Sequence, residues 1–115
     1  MSMLVKPVTG ILGLVLTIIG IAGFFTSGML LMFEVDTIHN IVHLVSGLAA
    51  LYAFNSSMSA SRTFLIVFGL IYGLVTVLGF AMGGSILGFF MVNSADNYLH
   101  LAIAAVSLIV GFGGK

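Results

Sequence analysis

Two short polar segments hold nearly all of the side chains in this sequence that could do chemistry. They cover residues 36–44 and 93–101, and together they contain all three histidines and two of the three acidic residues. Each segment has the pattern of a helix start, because an Asp or Asn that can cap a helix is followed by a hydroxyl-bearing residue and then by polar side chains one turn apart. Any chemistry is therefore expected in these two segments.

The spacing of the histidines favours a metal site. His39 and His43 lie four residues apart, as do Asp96 and His100, so each pair presents its side chains on one face of a helix. Three imidazoles and a carboxylate suit zinc best, and copper, iron or nickel are also compatible. We predict one divalent transition-metal ion, held by His39, His43, Asp96 and His100. The polar neighbours that could orient these ligands are Asn40, Asn97, Asp36 and Asn93.

Two alternatives use the same residues. In the first, His43 and His100 are the axial ligands of a haem between the second and fourth helices, since two facing histidines suffice for this ligation. In the second, the cluster is purely structural: Asp36 and Asn93 cap helices, and the Asn and His side chains cross-link the bundle, as in a subunit of an oligomer or assembly. An enzyme is not favoured, because Glu34 and Asp36 are the only other candidates for a separate acid or base.

The composition is that of an integral membrane protein. Of the 115 residues, 61% are hydrophobic and 5% are charged, and the mean hydropathy is +1.34, whereas soluble domains carry about 25% charged residues. A formal net charge of zero gives no sign of a basic surface that would bind nucleic acid, and the absence of cysteine excludes thiolate metal sites. We expect membrane lipids as neighbours, a second copy or another membrane protein as a possible partner, and no nucleic-acid partner.

Four apolar runs predict four transmembrane helices, at about residues 8–25, 38–54, 63–82 and 96–112. A polar turn at residues 55–61 separates the second helix from the third. Lys6, Arg62 and Lys115 fall on one side of this topology, which places both termini in the cytoplasm. Both polar segments then lie at the outer face, which is extracytoplasmic in a bacterial inner membrane.

The sequence contains an internal repeat. Matching residues recur 56 or 57 positions apart, in the pairs Gly13 and Gly69, Gly23 and Gly79, Gly28 and Gly84, Asp36 and Asn93, Asn40 and Asn97, and His43 and His100. Each half, at about residues 8–54 and 63–112, is predicted to be one helical hairpin of a single domain, 1–115. Two hairpins with two spans each have the same orientation in the membrane. The predicted fold is an all-α integral membrane four-helix bundle made of two tandem hairpins.

The connections at residues 28–35 and 84–92 are unusually apolar. Unpaired backbone cannot face lipid. We therefore expect these connections either to form short interfacial pieces that pack over the outer end of the bundle or to extend the first and third helices.

The motifs His39-Asn40-x-x-His43 and Asp96-Asn97-x-x-His100 each open an even-numbered predicted helix. In these motifs and their spacing, the sequence resembles an uncharacterised family of small bacterial four-helix membrane proteins, described only as a domain of unknown function. The resemblance covers about residues 10–111. It implies a bacterial inner-membrane protein with four spans, and it implies no activity, substrate or cofactor.

Overall fold

Four long helices form the protein, whose computed structural model describes residues 2–26 and 28–113. A short 3₁₀ turn, Ser2–Leu4, leads into the first helix. The helices are α1 (Val5–Gly23), α2 (Thr37–Ser56), α3 (Met58–Met82) and α4 (Ser94–Gly113). All four are long enough and apolar enough to cross a membrane. The predicted all-α four-helix fold is therefore confirmed, and its four apolar helices are those of an integral membrane protein.

A single residue joins α2 to α3. The predicted polar turn at residues 55–61 is wrong, because every residue of it except Ser57 is helical. Ser57 has an extended backbone, and its Oγ caps α3 by accepting from the N–H of Ala60 at 3.0 Å. Its own N–H donates to the carbonyl oxygen of Ala53 in α2 at 3.2 Å. The surrounding Ser, Ala and Met residues all tolerate a helix, so capping and hydrogen bonding at Ser57 mark the boundary.

The four helices form two helical hairpins, α1 with α2 and α3 with α4. Glycines bring the two helices of each helical hairpin into close contact. Helix α1 packs along α2, and α3 packs along α4. At Gly23 a Cβ atom would overlap the side-chain amide of Asn40, and at Gly79 it would overlap the amide of Asn97. Small residues let the backbones of membrane helices approach closely. The same glycine–asparagine contact thus occurs once in each hairpin.

Two apolar clusters fill the middle and one end of the bundle. The first contains Leu16, Tyr72, Ile103 and Ala104. The second contains Val5, Ala50, Ala53, Phe64, Leu65 and Val110. We call the two together the inner core. Leu16 and Leu65 are at most 1% exposed, so apolar side chains make up most of the interior away from the outer end.

Short β-hairpins connect the helices at the end of the bundle where α2 and α4 begin, which we call the outer end. Strand β1 (Met29–Leu30) pairs antiparallel with β2 (Phe33–Glu34), and β3 (Ser85–Ile86) pairs antiparallel with β4 (Phe90–Met91). We call these pairs the outer hairpins. They do not extend α1 or α3. The alternative of short pieces packed over the bundle is the one observed.

Each outer hairpin is hydrogen bonded to an aspartate from the other half of the chain. This aspartate lies at the start of α2 or of α4. Oδ2 of Asp36, next to α2, accepts from the N–H of Met91 at 2.7 Å. Oδ2 of Asp96, in α4, accepts from the N–H of Glu34 at 3.0 Å. These crossed bonds tie the two halves together over the outer end.

Two basic residues lie at the end opposite the outer hairpins, near the starts of α1 and α3. Nζ of Lys6 is 5.4 Å from the centre of the Phe54 ring, and Nη1 of Arg62 donates to the carbonyl oxygen of Gly111 at 3.0 Å. A cation at the carboxyl end of α4 complements the helix dipole. Lys115, the third residue of the orientation prediction, lies outside the described residues.

We predict that Gly20→Ala destabilises the protein and that Gly73→Ala does not. A Cβ on Gly20 would lie 2.7 Å from the backbone nitrogen of Leu44, and overpacking of this kind costs about 1–3 kcal/mol. A Cβ on Gly73 would meet only the Cβ of Ala104 at 3.9 Å, and alanine favours a helix by up to about 1 kcal/mol over glycine. Thermal unfolding in detergent compares the variants. Equal Tm values would contradict the close packing of α1 on α2.

We also predict that Asp36→Ala loosens both the start of α2 and the second outer hairpin. Oδ1 of Asp36 caps α2 by accepting from the N–H of His39 at 2.8 Å, while Oδ2 holds Met91. Loss of a cap costs about 0.5–2 kcal/mol, and the freed Met91 amide should exchange hydrogen faster. Ser57→Ala, which removes the cap of α3, is the matched control and should leave Met91 exchange unchanged. Hydrogen exchange of the backbone amides, followed by NMR in micelles, measures the effect. An unchanged exchange rate of the Met91 amide in Asp36→Ala would show that the Asp36–Met91 bond does not hold the second outer hairpin.

Candidate metal centre

Three histidine side chains meet inside the bundle at the outer end. His39 and His43 lie one turn apart on α2, and His100 faces them from α4. Their exposed fractions are 0%, 1% and 2%, and each offers one nitrogen such that the three lie within 4.8 Å of one another. This group, which we call the histidine centre, could hold a metal ion.

The separation of His43 and His100 matches that of two ligands of one ion. Their Nε2 atoms are 3.4 Å apart, and tetrahedral zinc with Zn–N bonds of about 2.0–2.1 Å separates two nitrogens by about 3.3–3.4 Å. The ring of His39 is centred 4.4 Å from that of His43 and 5.4 Å from that of His100. His39 thus completes the group from the side of the outer hairpins.

A backbone carbonyl fixes the proton on one nitrogen of His39. Nδ1 of His39 lies 3.1 Å from the carbonyl oxygen of Met91, and because this oxygen can only accept, Nδ1 must donate. Nε2 of the neutral ring then carries a lone pair. This Nε2 is buried, and it has no hydrogen-bond partner among the residues that the structure describes. A ring held through Nδ1 with a free Nε2 is the usual state of a metal-ligating histidine.

The other two rings are positioned by packing. Within the described chain, Nδ1 of His43 and Nδ1 of His100 are buried and have no hydrogen-bond partner. Tyr72 packs edge-on against His100 with ring centres 5.5 Å apart, and its hydroxyl donates to Oγ of Ser46 at 3.1 Å. Phe90 lies 5.0 Å from His39. The sequence analysis missed these neighbours. Ser46 could have been found as the residue one turn after His43, whereas Tyr72 lies in α3 and gave no signal.

Asp96 lies beside the histidine centre, and its ligand atoms fall outside the group of three nitrogens. Its Oδ2 accepts from the N–H of Glu34 at 3.0 Å and from the N–H of Asn93 at 2.9 Å. Its Oδ1 is buried and, as far as the described residues go, unpaired. The structure therefore brings three of the four predicted ligands together. The ligand role of Asp96 stays a prediction.

The four predicted orienting residues have different environments. Asn40 and Asn97 turn their amides to Gly23 and Gly79, and neither is hydrogen bonded to a histidine in the described structure. Their role in orienting the rings stays a prediction. Asp36 acts indirectly, since it holds the N–H of the same Met91 whose carbonyl oxygen accepts from His39.

Asn93 caps α4. Its Oδ1 accepts from the N–H of Asp96 at 2.9 Å, and its Nδ2 donates to the carbonyl oxygen of Met32 in the first connection at 2.9 Å. Like Asp36, it contributes to the cross-linking of the outer end rather than to a histidine ring.

A haem does not fit between His43 and His100. Two axial nitrogens on opposite sides of one iron are separated by twice an Fe–N bond, or about 4 Å for bonds of about 2.0 Å, and the observed separation is 3.4 Å. The ring of His39, which lies against both other rings, occupies space that the macrocycle would need. The haem alternative is therefore not supported.

Comparison with known proteins places the sequence in a family. No curated protein and no solved structure matches it significantly. A family model matches residues 6–113, which is almost the whole chain and covers the four helices except for Val5. The chain belongs to the family described as a domain of unknown function (DUF4383).

Proposed function

We propose that this protein binds one divalent transition-metal ion through the Nε2 atoms of His39, His43 and His100. The observation that supports this most strongly is the meeting of three buried imidazoles, each with a nitrogen within 4.8 Å of the others. A backbone carbonyl holds Nδ1 of His39, which leaves its Nε2 without a partner among the described residues. Imidazole ligands suit zinc, copper, iron and nickel, and zinc is commonly bound by three histidines with an open fourth position.

The nearby charges favour a divalent ion. Oδ1 of Asp36 accepts from the backbone N–H of His39 at 2.8 Å, and the buried Asp96 lies in the first turn of α4, one turn before His100. The three imidazoles are neutral as ligands, so two carboxylates would balance the charge of a divalent cation at a site shielded from water. Asp96 would have one of two roles. It would be a fourth ligand through Oδ1, or it would support the ligands by holding Glu34 and the start of α4 in place.

We place the site at the extracytoplasmic face of a bacterial inner membrane. Lys6 and Arg62 support this orientation, since both lie at the end opposite the histidine centre and basic residues favour the cytoplasmic side. Both termini would then be cytoplasmic. The inner core argues for a binding protein rather than a transporter, because hydrocarbon closes the bundle below the site.

The chain is proposed to be a single domain, 1–115, with an internal repeat whose halves span about residues 8–54 and 63–112. The recurring glycine–asparagine contacts and the crossed hydrogen bonds of the two outer hairpins support this division. In corresponding positions, His39 donates to one hairpin and Asp96 accepts from the other. The repeat would thus have diverged so that only one half supplies the third imidazole.

A second candidate is a purely structural polar cluster in an oligomer or assembly subunit. The hydrogen bonds of Asp36 and Asp96 to the opposite hairpins favour it, because they link the halves without any ion. In this case the histidines would contribute hydrogen bonds, between the Nε2 atoms of His43 and His100 and from Nδ1 of His39 to the carbonyl oxygen of Met91, each worth about 0.6–2 kcal/mol.

We predict near-stoichiometric zinc in protein purified without a histidine tag and then loaded with Zn²⁺, and loss of that zinc in His43→Ala and in His100→Ala. Elemental analysis measures the metal, and circular dichroism checks that the helices remain. Ser107→Ala is the matched control, because Ser107 is a buried polar residue of α4 whose Oγ lacks a partner in the described chain; it should keep the metal. Zinc retained in both histidine variants would overturn the proposal. A chelator-independent Tm with no metal bound would support the structural candidate.

We further predict that Asp96→Asn weakens zinc binding. If Asp96 only positions α4 and the first outer hairpin, the affinity should fall about 10–100-fold, as for other residues that support metal ligands. If Oδ1 is a ligand, zinc should be lost as completely as in His100→Ala. Competition with a fluorescent zinc chelator measures the difference. An affinity equal to that of the unmodified protein would exclude both roles.

A further inference from the structure

The tips of the two outer hairpins are apolar. The residues there are Leu31 and Met32 in the first hairpin, and Leu87 and Phe89 in the second. Their exposed fractions are 83%, 63%, 59% and 64%. A turn that faces water usually carries Gly, Asn, Asp or Ser. Large apolar side chains at both tips therefore need a partner other than water.

Both tips place a leucine in an unfavourable backbone conformation. Leu31 has φ of 55° and Leu87 has φ of 52°, in the left-handed region that glycine and asparagine occupy most easily. Both outer hairpins thus have a leucine where glycine or asparagine would fit the backbone more easily. Each tip therefore carries a bulky apolar side chain. The two outer hairpins thus share an apolar side chain at the tip in spite of its unfavourable backbone conformation.

The tips adjoin the lipid-facing surface of the helices. Strand β1 contacts the end of α1, and β3 contacts the end of α3. These helix ends also expose large apolar side chains, Phe25 at 86% and Phe80 at 50%. Exposed apolar side chains therefore occur both near these helix ends and on the outer hairpins.

The lengths of α2 and α4 set the depth of the hairpins. Each of these helices has 20 residues, which gives about 30 Å, the thickness of the hydrocarbon core. The outer hairpins precede these helices directly, so they lie at the boundary between headgroups and acyl chains. Apolar side chains at this level can insert into the bilayer as the apolar faces of interfacial helices do.

We propose that the tips of both outer hairpins insert into the outer leaflet at the level of the glycerol groups and upper acyl chains. This contact holds the hairpins over the outer end of the bundle, where Met91 and Glu34 are bonded to the opposite half. The proposal does not rest on a metal, since it concerns the lipid contact of the hairpins alone.

Tryptophan fluorescence tests this directly, because the chain contains no tryptophan. Leu31→Trp and Leu87→Trp are each reconstituted into phosphatidylcholine vesicles whose acyl chains are brominated near the glycerol end or near the methyl end. Val106→Trp, at an exposed position of α4, is the embedded control, and Ser59→Trp, at an exposed position in the first turn of α3 near the basic end, is the control for water.

We expect both tip variants to have blue-shifted emission, to be quenched most by the shallow bromines, and to be protected from acrylamide in the aqueous phase. Val106→Trp should instead be quenched most by the deep bromines. Tip variants that behave like Ser59→Trp would overturn the proposal. Protection from acrylamide without bromine quenching, together with chemical cross-linking of two chains through the tips, would also overturn it and would assign the tips to contact with a second copy.

Discussion

Burial of polar atoms without protein partners is the constraint on which the outer end of this bundle depends. The free Nε2 of His39 and the unpaired Oδ1 of Asp96 both lie in the interior of the described structure. Each unsatisfied polar atom costs about 1–3 kcal/mol, and a membrane offers no water to reduce that cost. The fold must therefore provide enough stability elsewhere to hold these groups together. A divalent ion bound by the imidazoles would convert the same arrangement from a cost into a favourable interaction.

Three other features bring the polar atoms together. Glycine contacts such as that of Gly23 with Asn40 let the two helices of each helical hairpin lie close together at the outer end. The inner core fixes the opposite part of the bundle, so α2 and α4 enter the outer end at a set separation. The crossed bonds of Asp36 and Asp96 then hold the outer hairpins over the histidines, and Met91 fixes the ring of His39.

The number of helices and the pairing of His39 with His43 follow from local patterns, whereas the approach of His100 depends on the packing of α4. Apolar runs determine the spans, and His39 and His43 share a face of one helix whatever the tertiary packing. The α2–α3 junction was mispredicted because Ser57 is one of several serines that could cap a helix, and only the fold selects among them. The position of Asp96 relative to the histidine nitrogens depends on which backbone N–H groups reach its carboxylate, and those belong to the distant Glu34 as well as to the adjacent Asn93. Tyr72 likewise meets His100 only through the packing of α3 on α4.

X-ray absorption spectroscopy of the zinc-loaded protein tests the metal centre most directly. Three histidine ligands predict nitrogen scatterers at about 2.0–2.1 Å from zinc, with the outer-shell scattering typical of three imidazole rings. His39→Ala should reduce the imidazole contribution to two rings, whereas Ser107→Ala should leave the spectrum unchanged. A spectrum of zinc coordinated by water or carboxylate oxygen, with one imidazole or none, would contradict a metal centre built from His39, His43 and His100.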